Sequence, residues 1–282
     1  MIDLHAHILP GFDDGVQSWQ EAVELARLAV RQGVSRLVAA PHVLADQESY
    51  RAALRLPEAV AQLQAELGRA EVPLEVIGGA EVRVDEAVPE QVQRNPALTI
   101  GGQGKYLLLE LPPGPLPRVM EQVVFQLQLL GITPIIAHPE RCWEWWEDPA
   151  SLAAIIERGA LAQVTAESLV GGAGPELRRA ARRLLRAGLV QFLASDVHRN
   201  ARRMLQLRPA VREAAKVLGE ARAEALVEAN PAAVLAGEPV GAELPEPEGR
   251  RGRGLVGRLR GWGRHSHNAS VSPACGDSHG EL

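Results

Sequence analysis

The sequence predicts an α/β protein whose parallel strands close into a barrel. Seven short apolar runs alternate with helical patterns between residues 2 and 198, and repeated β-α units of this kind build a parallel sheet covered by helices. Six of the seven runs end in His, Asp or Glu. Because the carboxyl ends of barrel strands carry the active site, the pattern also predicts one polar cluster at one end of the barrel.

The first predicted strand, residues 2–7, alternates apolar and polar side chains before Pro10-Gly11 ends it. Alternate strand residues share a face, so His5 and His7 are expected to point the same way. Two adjacent imidazoles suit a divalent metal, but the motif alone fits a packed histidine beside a solvated one equally well. The other strand ends have to decide between these two interpretations.

The remaining elements follow in order along the chain. The later strands are short apolar runs ended by polar or turn residues, at 36–40, 74–80, 106–109, 132–137, 161–165 and 190–195. Helical patterns separate them, first between a capping box at Ser18 and a stop at Gly33, then at 57–70, 116–130 and 149–158. Three more helices are predicted to complete the domain, at 202–218, 220–229 and 231–235.

The composition is typical of a globular intracellular protein. With 282 residues, 46% of them hydrophobic, the chain can bury one large core. A net charge of -5 argues against a protein that coats nucleic acid, and two cysteines, Cys142 and Cys275, make no disulfide framework. No signal peptide is recognised before the first strand, and no apolar run approaches the ~20 residues that span a bilayer. We therefore expect a cytoplasmic protein.

Residues 1–237 are predicted to form the folded domain, and residues 238–282 a disordered tail. Beyond Pro239 the chain is rich in Gly, Pro and Arg and poor in apolar residues, a composition that predicts disorder. Apolar residues among the arginines of 250–264 give a weaker alternative, a helix that contacts a membrane surface or a partner, but interspersed glycines count against it. A second His-x-His, at 265–267, has no acidic partners and is assigned no metal.

The predicted strand ends and their loops carry nine side chains that can ligate metal: His5, His7, Asp14, His42, Glu81, Glu110, His138, Asp196 and His198. A catalytic zinc takes about three protein ligands and a water, so this set suits two or three ions with bridging carboxylates. Such a cluster generates hydroxide near neutral pH and clamps the attacking and leaving oxygens of a phosphoryl group. Hydrolysis of a phosphate ester is the expected reaction.

Seven motifs in order resemble the polymerase-and-histidinol-phosphatase (PHP) superfamily: His-Ala-His at 5–7, Asp-Asp-Gly at 13–15, Pro-His at 41–42, Gly-Ala-Glu at 79–81, Leu-Glu-Leu at 109–111, Ile-Ala-His-Pro-Glu-Arg at 136–141 and Ser-Asp-Val-His at 195–198. Within it, the start Met-Ile-Asp-Leu-His, the Asp-Asp-Gly loop and His-Pro-Glu-Arg look most like the manganese-dependent protein-tyrosine phosphatases of bacterial capsule and exopolysaccharide operons. The resemblance covers about residues 1–237 and implies a distorted seven-stranded, TIM-like barrel.

The resemblance also implies the role of each site residue. One ion would be held by His5, His7, Glu81 and Asp196, a second by Glu81, Glu110 and His138, and a third by Asp14, His42 and His198. Manganese is the expected metal, and iron, cobalt, magnesium and zinc suit the same mixed ligands. Arg141 would bind the substrate phosphate, and Arg202 or Arg203 would either assist it or be a solvated arginine. The implied substrate is phosphotyrosine in a protein, expected to be a bacterial tyrosine kinase that regulates exopolysaccharide or capsule synthesis.

Residues near these motifs receive lesser roles. Asp13 is interpreted as a turn residue in preference to a group that supports a ligand. The segment Gln163-Val164-Thr165-Ala166, where many relatives would place Asn or Ser, is expected to touch no ligand. Trp143, Trp145 and Trp146 are placed on a loop as a packing cluster, with stacking on an aromatic phosphoester as the alternative.

Other functions stay open from the sequence. A cysteine phosphatase is excluded, because neither Cys142 nor Cys275 has an arginine five residues later. A small-molecule phosphatase of the same superfamily, such as a histidinol-phosphate phosphatase, is the first alternative, and a nuclease-like phosphodiesterase is disfavoured by the acidic charge. The other alternative is a non-catalytic metal-binding module, which the complete ligand set disfavours.

Overall fold

The computed structural model describes residues 1–199 and 202–240, so the predicted tail lies outside the described residues from position 241 onward. The strands in this part of the chain are β1 (Ile2–Ala6), β2 (Arg36–Ala39), β3 (His42–Val43), β4 (Glu75–Gly78), β5 (Glu81–Arg83), β6 (Tyr106–Glu110), β7 (Thr133–Ala137), β8 (Leu161–Thr165) and β9 (Phe192–Ala194). The helices are α1 (Trp19–Arg31), α2 (Gln47–Ala53), α3 (Leu56–Arg69), α4 (Val88–Arg94), α5 (Met120–Leu129), α6 (Trp143–Glu147), α7 (Pro149–Glu157), α8 (Ala166–Val170), α9 (Pro175–Arg186), α10 (Leu207–Leu218), α11 (Glu220–Ala225) and α12 (Ala229–Ala236).

These strands occupy seven positions of one barrel. They pair in parallel in the orders β1-β2-β4 and β3-β5-β6-β7-β8-β9. β2 and β3 lie end to end at one position, separated at Pro41, which has no N–H for the ladder. β4 and β5 share the next position. Across the breaks the Ala40 amide donates to the Ala6 carbonyl (3.0 Å) and the Glu81 amide to the Pro41 carbonyl (3.0 Å). The two sheets therefore continue into each other.

Hydrogen bonds between β1 and the residues after β9 close the barrel at its carboxyl end. The His7 amide donates to the Val197 carbonyl (2.8 Å). At the amino end, residues 226–227 lie between the two strands, and the Ile2 amide donates to the Val227 carbonyl (2.7 Å). The predicted TIM-like barrel with seven strand positions is confirmed, and its distortion consists of two strand breaks and this inserted segment.

A β-bulge in β1 turns both histidines into the barrel. Between Asp3 and Ala6, β1 has one residue more than the paired segment of β2. Strict alternation would place adjacent residues on opposite faces, yet Leu4 packs in the inner core while His5 and His7 both meet Glu81 from across the barrel. The bulge therefore converts an apolar barrel floor into a polar rim within one strand.

Two layers of apolar side chains support this rim. The inner core fills the barrel below the histidines and includes Ile2, Leu4, Val38, Leu108, Ile135 and Phe192. The outer core lies between the strands and the surrounding helices and includes Leu25, Leu63, Val123, Leu152 and Leu184. Close packing on both faces of a parallel sheet is the usual arrangement, and it leaves the carboxyl ends of the strands for polar side chains.

The helices depart from the sequence prediction in several places. The patterns do not predict α2, α4, α8 or α9; α9 carries five arginines but buries one apolar face against the barrel, formed by Ala180, Ala181, Leu184 and Leu185. The predicted helix 116–130 begins only at Met120, after Pro117, and the predicted helix 202–218 begins at Leu207, after a 3-10 turn. Within residues 1–199 and 202–240, no helix has the length and apolar character needed to cross a bilayer.

Candidate metal centre

His5 and His7 form the buried centre of the site. Both rings are fully buried, and their Nε2 atoms lie 3.0 Å apart, so the predicted common face of the two histidines is confirmed. The other ring nitrogen of each is held in place: His5 Nδ1 lies 2.9 Å from Gln163 Oε1, and His7 Nδ1 lies 2.6 Å from Asp13 Oδ2. With Nδ1 donating to these oxygens, each Nε2 lone pair is directed into the site, as in metal-binding histidines.

Two lesser roles predicted from the sequence are therefore wrong. Gln163 does touch a candidate ligand, because β8 places its amide beside β1 inside the barrel. Asp13 is more than a turn residue: besides the Gly15 amide (2.8 Å), it accepts from His7 and from the His42 amide (3.0 Å). Gly15 permits this close approach, since a Cβ there would lie 2.3 Å from the His7 carbonyl oxygen.

Glu81 lies among four of the five histidines that are candidate ligands. Its side chain is fully buried at the start of β5. Oε2 lies 2.9 Å from His42 Nδ1, 3.1 Å from His5 Nε2 and 3.4 Å from His7 Nε2, and Oε1 lies 2.8 Å from His138 Nε2. Two oxygens facing different histidines give this carboxylate the geometry of a bridging ligand.

Asp196 and Glu110 flank this centre. Asp196 Oδ1 lies 3.6 Å from Nε2 of both His5 and His7, and Glu110 Oε2 lies 3.6 Å from His42 Nδ1. Asp196 has a φ of 50° and His138 a φ of 35°, left-handed values that are rare outside glycine. Such backbone strain is typical of functional sites, and here it accompanies side chains that enter the site: His138 contacts Glu81, and Asp196 faces His5 and His7.

The third predicted group lies nearest the solvent. His42 Nε2 and His198 Nε2 are 3.5 Å apart, and Asp14 Oδ1 lies 3.7 Å and 3.5 Å from them. The His198 ring stacks on the His7 ring with centroids 3.8 Å apart. Asp14 is 78% exposed, in contrast to the buried carboxylates of the inner groups. All nine predicted ligands therefore meet at one end of the barrel.

The chemistry of these donors fits divalent ions. Three sets of donor atoms lie within 4.8 Å of one another: His5, His7 and Glu81; His42, Glu81 and Glu110; and His7, His42 and His198. Buried Glu81 Oε2, Asp196 Oδ1 and His42 Nδ1 have no hydrogen-bond partner with proper geometry, although other polar atoms are close. Atoms that converge without hydrogen bonding suit a cation between them. Two of these sets differ from the grouping that the sequence resemblance implies: His42 takes the place of His138 beside Glu81 and Glu110, and His7 takes the place of Asp14 beside His42 and His198.

Burial and the charges of neighbouring side chains shift the pKa values of these groups. Burial would lower the pKa of His7, but the neighbouring Asp13 and Glu81 carboxylates raise it to about 10, so a divalent ion that binds Nε2 has to displace a proton from it. Burial would raise the pKa of Asp196, but the charges of His5 and Arg141 lower it to about 2. Burial, with the charge of His7, lowers the pKa of His198 to about 4. Despite burial, the pKa of Glu81 is also lowered well below its ordinary value, chiefly by the charge of His5, so Glu81 and Asp196 are held ionised, as a cation site requires.

Arginines surround a cavity of about 360 Å³ above this cluster. Arg141, in the turn after β7, pairs with Asp196. Arg203 donates to the Asp196 carbonyl (2.9 Å) and lies 2.9 Å from Glu167 Oε2. Arg199, which the sequence analysis did not single out, also lines the cavity, while Arg202 is exposed. The cavity thus places cationic side chains beside the donor cluster.

Comparison with known proteins identifies the family. Residues 1–236 match the family model described as "Capsular polysaccharide synthesis, CpsB/CapC". The chain belongs to the CpsB/CapC family. It is 37% identical to tyrosine-protein phosphatase YwqE of Bacillus subtilis (strain 168), over 89% of this chain and 98% of the relative. It is 26% identical to tyrosine-protein phosphatase CpsB of Streptococcus pneumoniae, over 83% of this chain and 98% of the relative.

A solved structure of the CpsB/CapC family has the same fold. It comes from a study of YwqE from Bacillus subtilis and CpsB from Streptococcus pneumoniae, which describes them as metal-dependent tyrosine phosphatases. It superposes on this chain with a TM-score of 0.79 at 36% identity, covering 89% of this chain and all of the solved one. A divalent-metal site is therefore consistent with both the donor atoms and the family.

Trp143, Trp145 and Trp146 of this CpsB/CapC chain lie on α6, which follows the turn that carries Arg141, instead of on the predicted loop. Trp145 is fully buried and Trp143 is 49% exposed. The indole N–H of Trp146 donates to the Glu140 carbonyl, and Arg183 donates to the Trp146 carbonyl. For Trp145 and Trp146, these contacts agree with a packing role that supports the turn carrying Arg141.

Proposed function

We propose that this chain is a metal-dependent phosphomonoesterase that hydrolyses phosphotyrosine in proteins. The observation that carries the proposal is the convergence of five histidines and four carboxylates at one barrel end, with buried donor atoms lacking hydrogen-bond partners. The names of its CpsB/CapC relatives, tyrosine-protein phosphatases, supply the substrate class. The acidic donors alone would suit other metal hydrolases, so the family similarity is what favours phosphotyrosine.

The ligands would be divided among three overlapping groups. We assign His5, His7, Glu81 and Asp196 to one ion, Glu81, Glu110 and His138 to a second, and Asp14, His42 and His198 to a third. This grouping is kept because His138 faces Glu81 Oε1 (2.8 Å) and because Asp14 lies between His42 and His198. Glu81 is the natural bridge, because both its oxygens face histidines. Bound divalent ions would act as Lewis acids: they would offset the negative charge of the phosphoryl oxygens and lower the pKa of a bound water. Manganese is our choice of metal, and the same mixed donors accept iron, cobalt, magnesium or zinc.

The chain's own residues bind and orient the substrate. Arg141 binds the phosphoryl oxygens, since its guanidinium reaches the cavity and matches two oxygens at once. Arg203 lines the same cavity and supports this group, with Arg202 kept as the outer candidate. Asp13 and Gln163 hold the His7 and His5 rings in the orientation that directs Nε2 into the site.

Cys142 takes no part as a nucleophile. The thiol is buried, and burial raises its pKa above the ordinary value, so it is not the reactive thiolate that a cysteine phosphatase needs. We propose that the phosphoryl group passes directly to a water activated by the bound ions, without a covalent phosphoenzyme.

The proposed biological setting follows the sequence resemblance. We place the chain in the PHP superfamily, in the cytoplasm, with a bacterial tyrosine kinase of exopolysaccharide or capsule synthesis as its substrate. The catalytic domain would comprise residues 1–237, and residues 238–282 a separate tail. The family description "Capsular polysaccharide synthesis" supports this setting.

Phosphate release from two substrates tests the function. A phosphotyrosine peptide and histidinol phosphate are compared with manganese present and then with a chelator. Chelator-sensitive release from the peptide is the expected result. Release from histidinol phosphate alone would replace the proposed substrate by a small phosphoester, and no release from either at saturating metal would support a non-catalytic metal-binding module.

A further inference from the structure

A second cavity opens beside the metal centre. It also measures about 360 Å³, and it shares Glu110, His138 and Arg141 with the cavity above the donor cluster. Its remaining lining residues are Leu111, Pro112, Pro113, Gly114, Pro115, Leu116 and Cys142. We call this cavity the proline-lined pocket. One ligand can therefore occupy the proline-lined pocket and contact the residues of the shared edge at the same time.

The proline-lined pocket has one polar edge and one apolar wall. Its charged groups, Glu110, His138 and Arg141, all lie at the edge it shares with the metal centre. The segment 111–116 contributes only leucines, prolines and a glycine. Cys142 adds a neutral thiol, because burial raises its pKa. This polarity matches a ligand with an anionic group at one end and an apolar body at the other.

The apolar wall is held in place before any ligand binds. Three prolines fix their own φ angles, and the Leu116 amide donates to Glu144 Oε2 on α6 (2.8 Å). Leu111 and Leu116, at the two ends of the wall, pack against the outer core. A preformed wall loses little conformational entropy when a flat group packs on it.

We propose that the proline-lined pocket receives the aromatic ring of the phosphotyrosine while Arg141 holds its phosphate at the shared edge. This inference rests on the proposed function and adds the residues that select an aromatic ester over an alkyl one. The volume lies within the range of small-molecule sites, and an aromatic ring gains most from a flat apolar surface. Leu116 and Pro113 are specificity-determining residues in this arrangement, because they line the apolar wall of the pocket. Neither is a candidate metal ligand, so substituting them leaves the metal centre unchanged.

The test compares two substrates in variants of the wall. Leu116→Ala shortens the wall, and Pro113→Ala alters an exposed position that contributes nothing to the core, so at least one variant retains the fold. Pro117→Ala is the matched control, because it lies on the same loop outside the pocket lining. For each protein, kcat and KM are measured with a phosphotyrosine peptide and with ethyl phosphate. Phenylphosphonate and ethylphosphonate, as competitive inhibitors, give a measure of binding without turnover.

We expect Leu116→Ala to raise KM for the peptide about tenfold, a loss of about 1.4 kcal/mol of binding free energy, with little change in kcat. The inhibition constant of phenylphosphonate should rise by a similar factor, whereas the inhibition constant of ethylphosphonate for the variant should stay within about twofold of its wild-type value. Pro117→Ala behaves as wild type. Equal effects of Leu116→Ala on the aromatic and alkyl compounds, or no effect on either, would overturn the pocket assignment. The proposed function would still stand in that case, provided that the wild-type protein hydrolyses the peptide. Failure of wild type to hydrolyse the peptide would instead overturn the proposed function.

Discussion

Replacing Asp13 by alanine tests whether the groups behind the histidines control the metal centre. The Asp13 carboxylate accepts from His7 Nδ1 (2.6 Å), the Gly15 amide (2.8 Å) and the His42 amide (3.0 Å), and its side chain is 5% exposed. Asp13→Ala leaves three donors without their acceptor. It also frees the His7 ring to turn its Nε2 lone pair away from Glu81.

The expected magnitude follows from these contacts. An unpaired buried donor costs about 1–3 kcal/mol, but water can enter next to the part-exposed loop, so we expect a total loss of about 2–3 kcal/mol. A domain of this size then melts roughly 4–10 °C lower. Loss of an orienting partner weakens metal binding or activity by about 10- to 100-fold, so manganese affinity should fall by that factor even where the variant is fully folded.

Metal affinity is measured by competition with a chelator below the melting range of the variant, and phosphate release is measured at saturating manganese. Asp13→Asn serves as the matched variant, because it keeps an acceptor for the Gly15 amide but loses the charge that attracts the His7 N–H. It should lie between alanine and wild type. An Asp13→Ala protein that binds manganese within twofold of wild type would refute the orienting role, whatever its stability.

Three further substitutions extend the test. His138→Ala should abolish phosphate release while circular dichroism stays that of the wild type, and unchanged release would refute the cluster. Gln163→Leu removes the acceptor for His5 Nδ1 and should weaken manganese binding about tenfold. Wild-type manganese affinity in this variant would show that the contact has no role. Glu213→Gln removes a carboxylate whose pKa is lowered to about 2, first by Lys216 and then by Arg182. Because this folded-state pKa lies below the ordinary 4.5, the contribution, about 1 kcal/mol for a partly exposed network, is present above pH 4.5 and lost as the pH falls toward 2. Urea unfolding should show a larger loss of stability on substitution at pH 7 than at pH 2.5; equal stability of variant and wild type at pH 7 would contradict a stabilising role for this carboxylate.

The strands were predictable because their signal is local. Seven of the nine strands in the described residues lie in apolar runs that polar or turn residues end, and the run 161–165 matches β8 residue for residue. The exceptions are the short strands β3 and β5, which begin at His42 and Glu81. The break between β2 and β3 falls at Pro41, a residue known to interrupt a ladder. The break between β4 and β5 has a weaker signal, the pair Gly78-Gly79 within an otherwise apolar run. Local chemistry therefore specified most of the barrel, and its distortions only in part.

The helices on the outside of the barrel were less predictable, because tertiary packing forms them. α9 reads as a run of arginines, yet its few apolar residues all fall on the face that packs against the barrel. Arg178 and Arg182 are then paired by Glu213, which lies 31 residues beyond Arg182 on α10. Such a pairing compensates for cationic crowding on α9, but no local pattern in the sequence indicates it.

The candidate ligands were predictable for the same reason as the strands, and the residues that orient them were not. Each candidate ligand lies at the carboxyl end of a predicted run or in the loop that follows it, and closure of a parallel barrel brings all such ends together. Gln163 is different, because it lies in the middle of β8, where a polar side chain reads as an anomaly. Only the bulge in β1, which turns His5 inward against β8, gives that amide a partner. A buried polar residue in the middle of an apolar barrel strand should therefore be examined as the support of a ligand on another strand of the same barrel, since leaving it unpaired would cost more than the packing gains.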